Sequence, residues 1–390
     1  MTERLVILGG GVIGSSIAWE ALRRGFSVMV LDRPDLAGRA SWAGAGILSP
    51  GHAVHSLHPL ERMAGRSTQL HLQWSRDLLD ETGLENGLLQ CGGVYLATTR
   101  GEAAGLGGQM SLWSDEQIPS RKIPIAELQQ LLGSGFVSAV TIEAAWQVDA
   151  EMQIDNAQHL GALRAACTAR GCDWIDLAEQ DSQSLTVHQN RSNNLAHRLS
   201  MNSREIEIDW LCFAAGAWTG GIAKQLGCHL PTTPVRGQML LYKLPARDFV
   251  PVVNLGSRYI VPRADGHVLV GSTMEEAGFD ASTTADGIAS LKSFASPLFP
   301  ALNDSTLVRA WAGLRPASFD GMPYIGPLAS SPNIFAATGH LRSGLQLSTA
   351  TATMICDLIE RKPVDPELER LTSPNRFSSV YSSEPGPKRD

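Results

Sequence analysis

Three glycines near the start of the chain, Gly9, Gly11 and Gly14, are spaced as GxGxxG, and an acid, Asp32, follows about 20 residues on. These residue types at this spacing suit the binding of a dinucleotide. Gly9 permits a tight turn, Gly11 lets backbone approach a pyrophosphate, and Gly14 lets a helix pack closely on a strand. The phosphates then meet unpaired N–H groups at Val12 and Ile13, at the positive end of the helix dipole. Asp32 can accept hydrogen bonds from both ribose hydroxyls, which argues against a 2′-phosphate, although neighbouring Arg33 softens that preference. On these residues alone, FAD and NAD are not distinguished.

The elements that must hold this constellation are legible around it. Leu5 to Leu8 form a short apolar run, the mark of a parallel strand covered on both faces. Ile17, Ala18, Ala21 and Leu22 give the next segment a helical apolar stripe, and Gly25 closes it before a second strand over 27–31. A lone GxGxxG is often a plain glycine turn. Strand, helix and acid in register favour nucleotide binding.

No other cluster offers chemistry as specific. His52, His55 and His58 recur every third residue, but Pro50, Gly51 and Pro59 make a poor helix and no carboxylate recurs with them, so no metal site is expected. The six cysteines, Cys91, Cys167, Cys172, Cys212, Cys228 and Cys356, form no CxxC pair and read as reduced thiols in a cytoplasmic protein. A net charge of -7 over 390 residues gives no general attraction to nucleic acid or anionic lipid, and a small metabolite partner fits better. The apolar N-terminus carries an early Glu3, several glycines and no cleavage site, so it reads as a strand rather than a signal segment. No stretch is long enough for membrane insertion.

A chain of this length is expected to form two domains or more. Helices are expected over 62–82, with Leu70, Trp74 and Leu78 on one side, and over 155–170, with Asp155 as N-cap and Gly171 just past the end. CGGVYLATT (91–99) opens a strand-rich block. The strands VRGQMLLYKL, RYIVPR and HVLVGST follow, the last two joined by an Ala264-Asp265-Gly266 turn. WLCFAAGAW (210–218) and the segment 333–361 return to strand, glycine turn and helix. The expected fold is α/β plus α+β: a discontinuous Rossmann-like nucleotide-binding domain over 1–84, 146–222 and 308–377, with an antiparallel-sheet substrate domain inserted over 85–145 and 223–307. Residues 378–390 read as a disordered tail.

The segments GGGVIGSSIAWEALRRGFSVMVLD, GRASWAGAGILSP, FAAGAW, RYIVPR with GSTMEEAGFD, WAGLRPASFDGMPYIGP and ATGHLRSGLQL resemble, in that order, the D-amino-acid oxidase superfamily of flavoproteins. Within it they most resemble the glycine oxidase branch tied to bacterial thiazole synthesis. The resemblance implies noncovalent FAD and oxidation of glycine or a related small amine to an imine, which hydrolyses to glyoxylate and ammonia while O2 becomes H2O2. Partners are then a small amine or amino acid and O2, with a homotetramer by family analogy. Two alternatives stay open: a D-amino-acid, sarcosine or proline dehydrogenase that feeds a quinone, and a non-catalytic flavin-binding protein. No cysteine stands in the GHLRSG turn, which disfavours a covalent flavin.

Site residues follow from the same resemblance, joined to chemistry. Arg315 in WAGLRP is expected to anchor the substrate carboxylate, because a guanidinium fork grips a carboxylate bidentately. Tyr259 is expected to point its hydroxyl at that carboxylate, Met274 to line a small cavity, and Arg342 to close the pocket. Arg39, Ala40, Ser41, Ala45, Gly46 and Ile47 match a loop running beneath the isoalloxazine, with bulky Trp42 of unassigned orientation. Gly216 joins the cofactor site, and Gln180 stands where a valine usually offers its backbone to adenine. The turn Gly339, His340, Leu341, Arg342, Ser343, Gly344, Leu345 and Gln346 is expected to wrap the flavin ring and stabilise negative charge near N1 and the C2 carbonyl. No acid or base is assigned, since hydride can leave Cα of a neutral amine without one. The family pattern is broken by the absence of an acid in the 49–55 run, and by Ser257, Ser343 and Gln346, all of which bear on amine selectivity.

Overall fold

A computed structural model describes residues 2–33, 38–133, 135–177, 184–201, 204–244 and 249–377. Gln180 and the 378–390 tail lie outside the described residues.

Two sheets dominate. A six-stranded sheet runs in the order Asp173–Asp176, Ser27–Asp32, Arg4–Leu8, Trp210–Phe213, Ser331–Thr338, Tyr324–Leu328. Neighbours among the first five strands are parallel and the sixth is antiparallel. Leu5, Val6, Ile7 and Leu8 are at most 1% exposed, as expected for a strand covered on both faces. Above it, the helix Val12–Arg23 buries Ile17, Ala18 and Ala21, while Leu22 is only partly covered. Trp19, on the same helix, packs edge-on against Trp74 at 4.7 Å between centroids. That contact joins the first helix to Pro59–Thr82, which begins three residues before the expected start. Pro59 favours that earlier start because a first-turn proline lacks only an N–H that would be unpaired anyway, and the His58 ring accepts the Leu60 amide. The helix Asn156–Ala169 has Asp155 as its N-cap, accepting from the Gln158 amide at 2.9 Å.

The second sheet has nine strands, in the order Gly38–Arg39, Thr306–Ala317, Thr233–Lys243, His267–Gly271, Arg258–Pro262, Val252–Leu255, Gly93–Ala97, Ala144–Val148, Arg121–Lys122. The hairpin at Ala264-Asp265-Gly266 forms, with Gly266 at φ +85°. Thr306–Ala317, Ala144–Val148 and Gly38–Arg39 fall wholly or mostly in ranges expected for the nucleotide-binding part, yet belong to this sheet. The cause is pairing: Thr306–Ala317 runs antiparallel to Thr233–Lys243 from Ala317↔Thr233 to Thr306↔Lys243, which carries Arg315 onto the nine-stranded sheet. All six cysteines are buried free thiols. Among the described residues, no helix is long and apolar enough to cross a membrane.

Candidate active site

Four parallel strands of the six-stranded sheet end in the residues singled out for a dinucleotide. Leu8 runs into Gly9, Asp32 closes the second strand, Phe213 leads to Gly216, and Thr338 leads to Gly339. Strand register aligns these ends, since Leu8 pairs with Leu31 and with Phe213, and Phe213 with Ala336. Ligands of open parallel sheets bind at that carboxyl edge.

Local geometry there fits the glycine roles. Gly9 sits at φ +110°, and a Cβ on it would meet the Ala214 carbonyl oxygen at 2.5 Å. A Cβ on Gly14 would meet the Gly9 oxygen at 1.9 Å, so helix and turn are in backbone contact. Gly11 is the N-cap of the first helix and offers no side-chain hydrogen bond. The Val12 amide donates to the Ser41 hydroxyl at 2.9 Å, and Ile13 follows it in the buried first turn. A Cβ on Gly10 would lie 2.7 Å from Asp32 Oδ2. That oxygen is buried and lacks a hydrogen-bond partner, with Arg39 approaching at 2.9 Å off the hydrogen-bonding direction. Arg33 stacks its guanidinium 4.5 Å from the Trp218 ring.

The 39–47 segment bridges the two sheets. In place of an open loop it forms one helical turn, Ala40–Ala43, between the short strands Gly38–Arg39 and Ile47–Leu48. A Cβ on Gly313 of the nine-stranded sheet would meet Ala43 Cβ at 2.5 Å, so the turn rests directly on that sheet. Trp311 Nε1 donates to the Ala43 carbonyl, and Trp42 lies tilted on Trp311 beneath the Arg309 guanidinium. Two residues outside the expected site hold the segment: Asn156 Nδ2 donates to the Ser41 carbonyl at 2.6 Å, and Arg263 donates to the Ala45 and Ile154 carbonyls. Gly46, at φ +73°, is pressed against the Ile154 carbonyl, which leaves no room for a side chain. Arg263 was visible as the last residue of RYIVPR, but nothing in its type tells a backbone clamp from a surface charge.

The last turn connects both sheets as well. His340 bridges to Ala317, Leu341 donates its amide to the Pro316 carbonyl at 2.8 Å, and Gly339 and Leu341 both adopt positive φ. Ser343 caps the helix Gly344–Ile359 without a side-chain bond. Gln346 Nε2 donates to the Ser49 carbonyl, while the Leu345 and Gln346 carbonyls share the buried His71 Nε2. Burial lowers the His71 pKa to about 4, so its ring is neutral at ordinary pH.

Arg315 sits on the nine-stranded sheet, in register with Val235. A Cβ on Gly237 would lie 2.2–2.3 Å from the guanidinium, so Arg315 lies flat over that glycine. Its NH1 donates to the Thr273 carbonyl at 3.0 Å and its NH2 to the Ser272 hydroxyl at 2.8 Å. Desolvation lowers the Arg315 pKa, Tyr259 opposes that shift, and the like charge of Arg342 adds to it. Tyr259 pairs across the sheet with Gly271, and Gly271 with Met239, whose sulfur accepts the Tyr259 hydroxyl at 3.5 Å. Arg342 is exposed and donates to the Ser257 carbonyl at 3.0 Å, tying the last turn to the turn before Arg258–Pro262. Met274 is 56% exposed, one residue beyond the Thr273 carbonyl that holds Arg315. Ala45, Cys91, Met239, Tyr259 and Trp311 form one apolar cluster beside Arg315. Ser272 and Thr273, absent from the expected set, are the groups that aim the guanidinium.

The rings of His52 and His58 accept backbone amides, and the His55 ring lies tilted on that of His52. His52 Nδ1 accepts the Val54 and His55 amides, and no grouping of metal-ligand residues occurs among the described residues.

A family model described as FAD dependent oxidoreductase matches residues 4–358. The chain belongs to that family. FAD is therefore its cofactor, and the Asp32 carboxylate, whose buried Oδ2 is ion-paired with Arg39 and accepts no hydrogen bond, fits with the Gly9–Gly14 cradle the ribose and pyrophosphate of this flavin nucleotide. The chain of this FAD-dependent oxidoreductase is 35% identical to the glycine oxidase of Pseudomonas aeruginosa, over 93% of this chain and 97% of that one. It is 32% identical to the bifunctional protein ThiO/ThiG of Trichormus variabilis, over 99% of this chain and 57% of that one. The crystal structure of glycine oxidase from Geobacillus kaustophilus superposes with a TM-score of 0.87 at 27% identity, covering 96% of this chain and 99% of that one.

Proposed function

We propose that this enzyme oxidises glycine, or a closely related small amino acid or amine, to the imine, which hydrolyses to glyoxylate and ammonia while O2 is reduced to H2O2. The observation that carries this reading is the Arg315 guanidinium, fixed by Ser272 and Thr273 against an apolar wall and flanked by Tyr259 and Arg342. Among the described residues Thr273 and Ser272 each take one of its five N–H donors and Tyr259 lies against it, which leaves others to grip a carboxylate. The relatives named glycine oxidase and ThiO/ThiG support glycine as substrate and thiamine thiazole synthesis as the setting.

FAD, when bound, supplies the hydride acceptor. The protein's part is to bind and orient. Arg315 and Tyr259 hold the carboxylate end, and Met239 and Trp311 keep water from the face where Cα must lie, which strengthens the ion pair by lowering the local dielectric. Arg342, reaching to Ser257, covers the mouth. On this reading residues 1–84, 146–222 and 308–377 chiefly serve the cofactor and 85–145 and 223–307 the substrate, with Thr306–Ala317 as the shared strand.

Replacing Arg315 by Ala tests the anchor. FAD content is expected to stay whole while glycine KM rises by about a hundredfold or more, the size of a lost bidentate charge-assisted contact. Unchanged kinetics would remove Arg315 from the role.

A further inference from the structure

Behind the strand that supports Arg315 lies a second set of charges, centred on the buried Arg236. Along Thr233–Lys243, side chains alternate between faces. Gly237 and Met239 face Arg315 and its cluster, while Arg236 and Gln238 point the other way and are 7% and 0% exposed. Arg236 donates from Nε at 3.0 Å and from NH2 at 2.6 Å to Glu275 Oε2, and from NH1 at 2.7 Å to Asp280. Gln238 Nε2 donates to Glu275 Oε1 at 2.8 Å and to the Thr284 hydroxyl at 2.9 Å, and Gln238 Oε1 accepts the Thr284 amide.

This network grips the segment that aims the anchor. The Arg236 and Glu275 backbones exchange two hydrogen bonds, and the Gln238 amide donates to the Thr273 hydroxyl at 2.9 Å. Ser272 and Thr273, whose hydroxyl and carbonyl receive Arg315, are thus clamped between the end of His267–Gly271 and the ion pair at Glu275. Burial opposes the charge on Glu275, but hydrogen bonds from Thr273, Arg236 and Gln238 outweigh it and hold that carboxyl below its ordinary range. Without the Glu275 carboxylate, Arg236 would keep only the exposed Asp280 as counter-charge, and its guanidinium would be drawn toward Asp280 and away from the segment.

We propose that Arg236 and Glu275 are positioning residues for the substrate carboxylate, acting through Thr273 and Ser272 on the Arg315 guanidinium. The inference rests on Arg315 being the carboxylate anchor. It assigns a task to an ion pair that touches neither substrate nor cofactor.

The test uses FAD-replete protein and glycolate, a carboxylate without an amine, titrated by its perturbation of the flavin absorbance. Glu275→Gln keeps the side-chain shape and removes the charge; Arg236→Met removes the fork; Arg236→Lys keeps the charge. Glu275→Gln and Arg236→Met are expected to weaken glycolate and raise glycine KM about tenfold, with kcat within about twofold, the effect of one misplaced charge-assisted hydrogen bond. Arg236→Lys is expected to recover part of that loss. Arg315→Lys serves as the control. If Arg315→Lys weakens glycolate while Glu275→Gln binds it as the native protein does, the positioning role is wrong and the anchor stands. If Arg315→Lys binds glycolate unchanged, the anchor reading fails and the inference with it.

Discussion

The Ser41 hydroxyl accepts the Val12 amide at 2.9 Å, joining the N-terminus of the first helix to the turn that rests on the nine-stranded sheet. One end of that link is the turn of the GxGxxG motif. The other lies against Gly313, two residues before Arg315 in the same strand. The glycine turn and the strand that carries Arg315 are therefore joined by one short segment, with Asn156 and Arg263 fixing its backbone, as well as by the last turn.

Ser41→Ala removes the acceptor that closes the helix terminus. A loss of about 1 kcal/mol is expected, as for other lost caps. Chemical denaturation of the FAD-bound protein measures it, and an unchanged midpoint would show that the contact contributes nothing.

Asp32→Asn should act chiefly on the cofactor, with the ion pair to Arg39 lost as well. The carboxylate loses its charge, and FAD affinity is expected to drop about ten- to a hundredfold, the range for a hydrogen bond to a charged group. Titration of the apoprotein with FAD reads this directly. Equal affinity would mean that Asp32 does not carry the ribose.

Gly237→Ala tests the seat of the anchor from its other side. The new methyl would meet the guanidinium at 2.2–2.3 Å, so Arg315 must move off Ser272 and Thr273. A rise in glycine KM of about tenfold or more is expected, with FAD content retained. Normal KM in this variant would show that the position of the guanidinium is not critical.

Much of this arrangement was legible in the sequence, and the remainder was not for identifiable reasons. Gly9, Gly14 and Asp32 declared themselves because their jobs depend on backbone freedom, close approach and charge at fixed spacing, all of which are local. For Arg315 the family resemblance of its motif gives the expectation of a carboxylate anchor. Its support could not: Ser272 and Thr273 are small polar residues whose meaning depends on which strand lies beside them. Asn156 and Arg263 likewise reach residues more than a hundred positions away along the chain. Thr306–Ala317 was allotted to the nucleotide-binding range because its neighbours in sequence lie there, while its hydrogen bonds go to the other sheet.

Stability should fall in acid, and the sign follows from the buried imidazoles. Burial lowers His71, His159 and His340 to about 4, about 3 and about 3, against about 6.5 when unfolded. Below pH 6.5 the unfolded chain therefore binds more protons, and each imidazole removes about 1.4 kcal/mol of stability per pH unit until its folded pKa is reached. Glu151 works in the opposite sense. Burial raises its carboxyl to about 7, against hydrogen bonds from Tyr95 and Asn254, so its contribution is full below about 4.5 and fades as pH rises through 7. Three groups outweigh one, and Tm is expected to fall between about pH 6.5 and pH 5. Glu151→Gln should steepen that fall; a Tm that is flat or rises over the same interval would contradict this balance.

The most direct measurement is peroxide release by the FAD-replete protein offered glycine, sarcosine, D-alanine and D-proline in turn, with ammonia or amine product measured alongside. Turnover of glycine, with one H2O2 formed per imine released, is the expected result. Protein that holds FAD yet forms no peroxide from any of the four, and is not reduced by them without oxygen, would contradict the assignment of this site to amine oxidation.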